Sequence, residues 1–171
     1  MKKILYIFDL DNTLVEKLNI NYASLRNELR VIIKNENEKF KPLVNNMLKH
    51  NIELELLDKY ELLSVPSSNL KYEISNKYIE YIQKGFYVII LTRNSLSLVN
   101  SLIEFHKIPF PSKIIHRDSN IKYQKPNLKV MDSVDFSKYD KIIYYGDSWH
   151  DEELCKNIKK NSNIKIEFIK V

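Results

Sequence analysis

Apolar residues fall along this chain in two kinds of pattern. Lys3–Phe8, Tyr87–Leu91, Lys113–Ile115, Lys141–Tyr145 and Ile164–Ile169 are short runs rich in aliphatic and aromatic residues. Runs of that length predict β-strands, the longer ones buried on both faces. Between them the apolar spacing lengthens to the helical period. Leu70–Lys84 carries Ile74, Tyr78 and Ile82 on one face and stops at Gly85. Ser95 is placed to cap a helix bearing Val99, Leu102 and Ile103. Leu128–Val134 and His150–Ile158 predict two further helices.

Strands alternating with helices argue for an α/β fold, a Rossmann-like parallel sheet with helices on both faces. One block interrupts the alternation after the first strand. Leu25, Leu29, Ile32 and Ile33 share a helical face, and Phe40, Leu43, Val44, Met47 and Leu48 follow the same template. Ile52–Leu63 starts with alternation and ends helical, while Asn35–Asn37 and His50–Asn51 read as turns. Val65-Pro66-Ser67-Ser68-Asn69 reads as a linker. The expected organisation is an α/β core of residues 1–15 and 67–171, with a small α-helical cap of residues 16–66 over the strand ends.

Composition narrows the class. The chain has 171 residues, 44% of them hydrophobic and 29% charged, enough apolar residue for a buried core. A single cysteine, Cys155, forbids an internal disulfide and suits a reducing, cytoplasmic setting. Lys2 and Lys3 before Ile4–Phe8 imitate a secretory signal, but Asp9 and Asp11 end the apolar stretch too early. No run reaches the roughly 20 apolar residues that cross a bilayer. The net charge of +5 comes from lysines scattered among acids, with only four arginines: Arg26, Arg30, Arg93 and Arg117. That is the pattern of an ordinary solvated surface. Nucleic acid and membrane are therefore not expected partners.

The residues suggestive of chemistry each follow a predicted strand. They are Asp9-Leu10-Asp11-Asn12-Thr13, then Thr92, then Lys125, then Gly146-Asp147-Ser148-Trp149-His150-Asp151. Singly, each has an ordinary reading: a turn cap, a helix cap, a surface lysine, acids in a helix's first turn. Together they converge on the carboxyl ends of the strands, where open α/β sheets bind ligands. Alternate residues leave a strand on the same side, so Asp9 and Asp11 are able to serve one centre. Crowded carboxylates raise a pKa or recruit a cation, and an oxygen-only set suits a hard ion such as Mg2+. A carboxylate attacking a phosphate dianion needs a metal and a lysine to offset the repulsion.

These four motifs resemble those of the haloacid dehalogenase (HAD) superfamily of phosphatases. The resemblance covers the core, and the insertion after the first motif resembles the helical cap of the subfamily that includes phosphoglycolate phosphatases and sugar-phosphate mutases. It implies a Mg2+-dependent phosphatase of small phosphomonoesters. Asp9 would be the nucleophile and Asp11 the general acid and base. Thr92 and Lys125 would hold the phosphoryl group, with Arg93 in reach of it. The metal would be held by Asp9, the backbone carbonyl of Asp11, and Asp147. Asp151 would support the metal shell or orient Lys125. Asn12 departs from the glycine many members carry, and the acidic start of the last helix departs from their small-residue pattern.

Other readings remain open at this point. They are a phosphomutase or phosphotransferase acting on sugar phosphates, a catalytically silent binding protein, and a phosphatase of nucleic-acid ends. Arg26, Arg30 and Lys41 in the cap are candidates for reading a second anionic group. Trp149 is expected to pack its loop against core or cap, His150 to be a loop residue, and Cys155 to be packing. The expected state is a monomer or weak homodimer.

Overall fold

The computed structural model describes residues 3–119 and 121–171; Met1, Lys2 and Asn120 of the expected core lie outside them. Five parallel strands, β1 (Ile4–Phe8), β2 (Tyr87–Leu91), β3 (Lys113–Ile115), β4 (Lys141–Gly146) and β5 (Lys165–Lys170), form one sheet in the order β3-β2-β1-β4-β5. The chain builds outward from β1 to β2 and β3, then crosses back to β4 on the other side of β1. The carboxyl ends of β1 and β4 therefore flank the crevice where such sheets bind ligands.

Alternation along the strands divides the core into two layers. Tyr6, Phe8, Val88, Ile90 and Tyr145 pack on one face with Ile74 and Tyr78 of α4 (Tyr72–Gln83) and Leu98, Val99, Leu102 and Ile103 of α5 (Leu96–His106). Leu5, Ile7, Ile89, Leu91, Ile142 and Tyr144 pack on the other with Leu154, Cys155 and Ile158 of α6 (Trp149–Asn161). The acidic opening of α6 thus leaves its packing intact, because the apolar positions behind it keep helical spacing. The short helix expected over Leu128–Val134 is a 3-10 helix over Leu128–Met131, with Val130 and Met131 buried.

Between β1 and α4 lie α1 (Tyr22–Ile33), α2 (Leu43–Lys49) and α3 (Glu55–Leu62). They share an apolar cluster of their own, Leu25, Leu29, Phe40, Met47, Leu54 and Leu57. Phe40 is not on a helix as its spacing suggests. It is buried at φ 46°, and Pro42, which lacks an N–H, stands just before α2. Ile32, expected on the buried face of α1, is 51% exposed in the helix's last turn.

The chain enters and leaves this insertion side by side. Val15 bridges Leu70, the Glu16 N–H donates to the Asn69 carbonyl at 2.8 Å, and the Lys71 N–H donates to that of Leu14 at 2.9 Å. The expected linker is instead an ordered 3-10 turn, Val65–Ser67. Val65 is in the core, and the hydroxyls of Ser64, Ser67 and Ser68 donate to backbone carbonyls of the same turn and the end of α3. The serines of that linker are here backbone partners. Among the described residues no helix is long and apolar enough to cross a membrane.

Candidate active site

Parallel pairing fixes the first acid. Asp9 lies one residue past β1, and its N–H still donates to the Tyr145 carbonyl of β4 at 2.9 Å. The chain then turns tightly, with the N–H groups of Thr13, Leu14 and Val15 all donating to the Leu10 carbonyl. Asn12 takes the left-handed conformation, φ 58°, which asparagine tolerates better than most residues and which accounts for its standing where a glycine is common. Its side-chain amide donates to Asp147 Oδ2 at 2.9 Å, tying the loop after β1 to the loop after β4.

Lys125 is buried at the centre of the site. Its ammonium donates to Asp9 Oδ1 at 2.6 Å, Asp151 Oδ1 at 2.6 Å and the Leu91 carbonyl at 3.1 Å, which uses all three protons. Burial works against its charge, but Asp9 and Asp151 outweigh burial and raise its pKa. Asp151 is saturated as well. Oδ1 accepts from Lys125 and from Tyr144 Oη at 2.8 Å, while Oδ2 accepts from the Ser148 N–H at 3.1 Å and hydroxyl at 2.5 Å. The last pair forms the capping box of α6. Burial raises the Asp151 pKa, but Lys125, Ser148 and Tyr144 together hold it below the usual value. Gly146 lets Asp151 come this close: a Cβ there would lie 2.7 Å from the Asp151 Cβ and Cγ.

The other two acids behave differently. Burial pushes Asp9 up to about 6, against the pull of Lys125. Burial also raises Asp11, helped by Asp147 and opposed by the Leu18 N–H, which donates to Asp11 Oδ1 at 2.7 Å. Thr92 sits one residue past β2, its N–H on the Ile115 carbonyl and its hydroxyl donating to Asn94 Oδ1 at 2.7 Å. Asp9, Asp11, Thr92, Arg93, Lys125 and Asp147 line one cavity of about 680 Å3. Asp151 lies beneath it, fully buried.

A metal-ligating set is present in outline. One oxygen each from Asp9, Asp147 and Asp151 lie within 4.8 Å of one another, with no histidine or cysteine in the cluster. Such a donor set fits a hard divalent cation. Since both oxygens of Asp151 already accept two donors each, the side chains left to hold a cation are Asp9 and Asp147. The Asp11 carboxylate is outside the cluster, turned to Leu18.

No family model and no curated protein matches this sequence. Solved structures do match it. CbbY from Rhodobacter sphaeroides, in complex with phosphate, superposes with a TM-score of 0.63 at 14% identity, over 100% of this chain and 87% of that one. A HAD-superfamily hydrolase from Ehrlichia chaffeensis does so with a TM-score of 0.58 at 17% identity, over 99% and 88%. The HAD-hydrolase YfnB from Bacillus subtilis, bound to magnesium, gives 0.52 at 14%, over 90% and 86%. The fold is that of the HAD-superfamily hydrolases.

Within this HAD fold, one connection was not foreseen from sequence. Arg117, after β3, is buried and donates to Glu61 Oε1 at 2.7 Å and to Asp58 Oδ1, both on α3. Glu61 Oε2 accepts from the Ser95 hydroxyl at 2.7 Å and N–H at 3.1 Å. A buried ion-pair network therefore joins the insertion to the loops after β2 and β3. Nothing in the spacing of Asp58, Glu61 and Arg117 marks them, since charged residues at those positions are equally compatible with a surface. Trp149 does not pack the loop as expected: it is 64% exposed and stacks on the His150 ring at 3.9 Å. Arg93 reaches His150 Nε2 at 3.3 Å. Cys155 is buried, and burial pushes its thiol up to about 12.

Proposed function

We propose that this protein is a Mg2+-dependent phosphatase of small phosphomonoesters, working through an aspartyl-phosphate on Asp9. The observation that carries the reading is the buried Asp9–Lys125–Asp151 chain opening on a cavity that also holds Asp11, Thr92 and Asp147. A lysine fixed by two carboxylates is a preorganised positive charge beside the attacking oxygen. The magnesium and phosphate bound to structural neighbours accord with it.

In this reading an Asp9 oxygen attacks phosphorus, and the bond to the ester oxygen breaks. Asp11, whose pKa burial raises, gives its proton to the departing oxygen. It then takes a proton from water, which attacks phosphorus and frees the Asp9 carboxylate as phosphate leaves. Thr92, released from Asn94, and Lys125, freed of its bond to Asp9 as that carboxylate turns to phosphorus, hold the phosphoryl oxygens. Asp9 and Asp147, with the Asp11 carbonyl, would hold Mg2+, whose charge offsets the repulsion between carboxylate and phosphate dianion.

Residues 16–66 act as a cap in this account. Tyr22, Arg26, Pro42, Leu43, Val44 and Leu57 of the insertion line the cavity, and with them in place it suits a small molecule better than a polymer. The test is a panel of sugar phosphates, nucleotides and phosphoglycolate with Mg2+. Wild-type protein is expected to release phosphate, and Asp9→Asn and Asp11→Asn to fold without doing so. Near-wild-type turnover by Asp9→Asn would overturn the proposal.

A further inference from the structure

The cavity is acidic where β1 and β4 end, whereas on its insertion side the one carboxylate of the lining, Glu61, is already paired with Arg117. There α1 contributes Tyr22 and Arg26, one helical turn apart, with the guanidinium carbon 5.8 Å from the tyrosine ring centroid. Arg26 Nε is shielded from solvent and has no hydrogen-bond partner, and among the described residues its guanidinium forms no ion pair. Three carboxylates of the insertion's helices are committed elsewhere. Asp58 and Glu61 hold Arg117, while Glu28 accepts from Tyr60 at 2.6 Å and lies 3.7 Å from Lys59. Lys17 adds a second positive charge to the lining.

Three cationic residues of the insertion are candidates for reading an anion, and the structure separates them. Arg30 donates from Nε to the Glu38 carbonyl at 2.9 Å and from Nη1 to Asn27 at 2.9 Å, and it lies outside this cavity. Lys41 does not line it either. Arg26 alone of the three faces the site with a donor to spare. A shielded donor without an acceptor is unfavourable, and an acceptor from a ligand would complete the arrangement. A guanidinium's planar fork matches a carboxylate or a phosphate.

We infer that Arg26 is a specificity-determining residue that binds a second anionic group of the substrate, a carboxylate or a second phosphate, on the insertion side of the cavity. The inference rests on the phosphatase reading and narrows it to phosphomonoesters carrying two anionic groups. The acids at the strand ends repel a free carboxylate, so Arg26 also fixes which end of such a molecule meets Asp9.

The test compares paired substrates with Mg2+: 3-phosphoglycerate against glycerol 3-phosphate for a carboxylate, and fructose 1,6-bisphosphate against fructose 6-phosphate for a second phosphate. Wild-type protein is expected to favour the doubly anionic member of at least one pair by about 10- to 100-fold in kcat/KM, the worth of a charge-assisted hydrogen bond. In Arg26→Gln that ratio falls towards one through KM; Arg26→Lys keeps part of it, and Arg30→Gln keeps it all. No preference in either pair, or a preference that survives Arg26→Gln, overturns the inference and leaves the phosphatase reading standing. If no phosphomonoester is turned over, the phosphatase reading fails, and calorimetry decides the anion site. Tighter binding of 3-phosphoglycerate or fructose 1,6-bisphosphate than of its singly anionic partner, lost in Arg26→Gln, supports it, and equal binding overturns it.

Discussion

Lys125 Nζ lies 2.6 Å from Asp9 Oδ1, closing a contact between residues 116 positions apart in the chain. The pair is buried, and its third member, Asp151, is buried with it. Removing the cation leaves two carboxylates without compensation in a low-dielectric site. Lys125→Met is therefore expected to destabilise the protein by about 3–5 kcal/mol, measured by urea unfolding. Lys125→Arg does not rescue it, because a planar fork cannot reproduce three contacts around one ammonium.

The raised pKa of Asp9 has a definite sign in stability. Between its ordinary value and about 6 the folded protein binds a proton that the unfolded chain does not. That contribution is full below the unfolded value and is lost as pH rises through 6. Asp11 and Glu61, raised mainly by burial, act in the same direction. Asp151, held low, has the opposite sign, but its contribution is lost only in stronger acid. His106 and His150, lowered mainly by burial, oppose this gain below about pH 6.5, so the Asp9 contribution is read against Asp9→Asn: metal-free wild type is expected to gain on the order of 1–2 kcal/mol more than that variant between pH 7.5 and pH 5. Urea unfolding in a chelator checks this. Asp9→Asn flattens the curve, and Mg2+ flattens it by competing with the proton.

Gly146→Ala drives a methyl group into Asp151. Backbone and a capped helix confine both partners, so the acid must move and Lys125 with it. The expected result is a loss of about 1–3 kcal/mol and a fall in kcat larger than any rise in KM, read from unfolding and steady-state kinetics.

The junction between core and insertion depends on Arg117. Arg117→Met strands Glu61 and Asp58, and a loss of about 3–5 kcal/mol is expected. Adding Glu61→Gln recovers part of it, because the stranded charge is most of the damage. A double-mutant cycle in thermal unfolding measures the recovery.

The chain's local patterns carry the core of this structure. Continuous runs such as Val88–Leu91 are fully buried on both faces, and the acids after β1 and β4 meet because parallel strands end in the same crevice. Periodicity was less informative where backbone chemistry overrides it. Pro42 detaches Phe40 from α2, and serine hydroxyls turn the segment after α3 into a 3-10 turn. Arg117 with Glu61, and Arg26 without a partner, were not legible. Whether a charged residue is paired, stranded or solvated depends on contacts between distant segments, which spacing does not encode.

The most direct test of the central claim is chemical trapping at Asp9. Protein in excess over a turned-over phosphomonoester is quenched within one turnover, reduced with borohydride and digested. An acyl phosphate at Asp9 is reduced to homoserine, so the peptide spanning Ile4–Val15 should carry that change at position 9 only when substrate and Mg2+ are both present. Turnover with that peptide unchanged, or with the label on another carboxylate, would contradict the account.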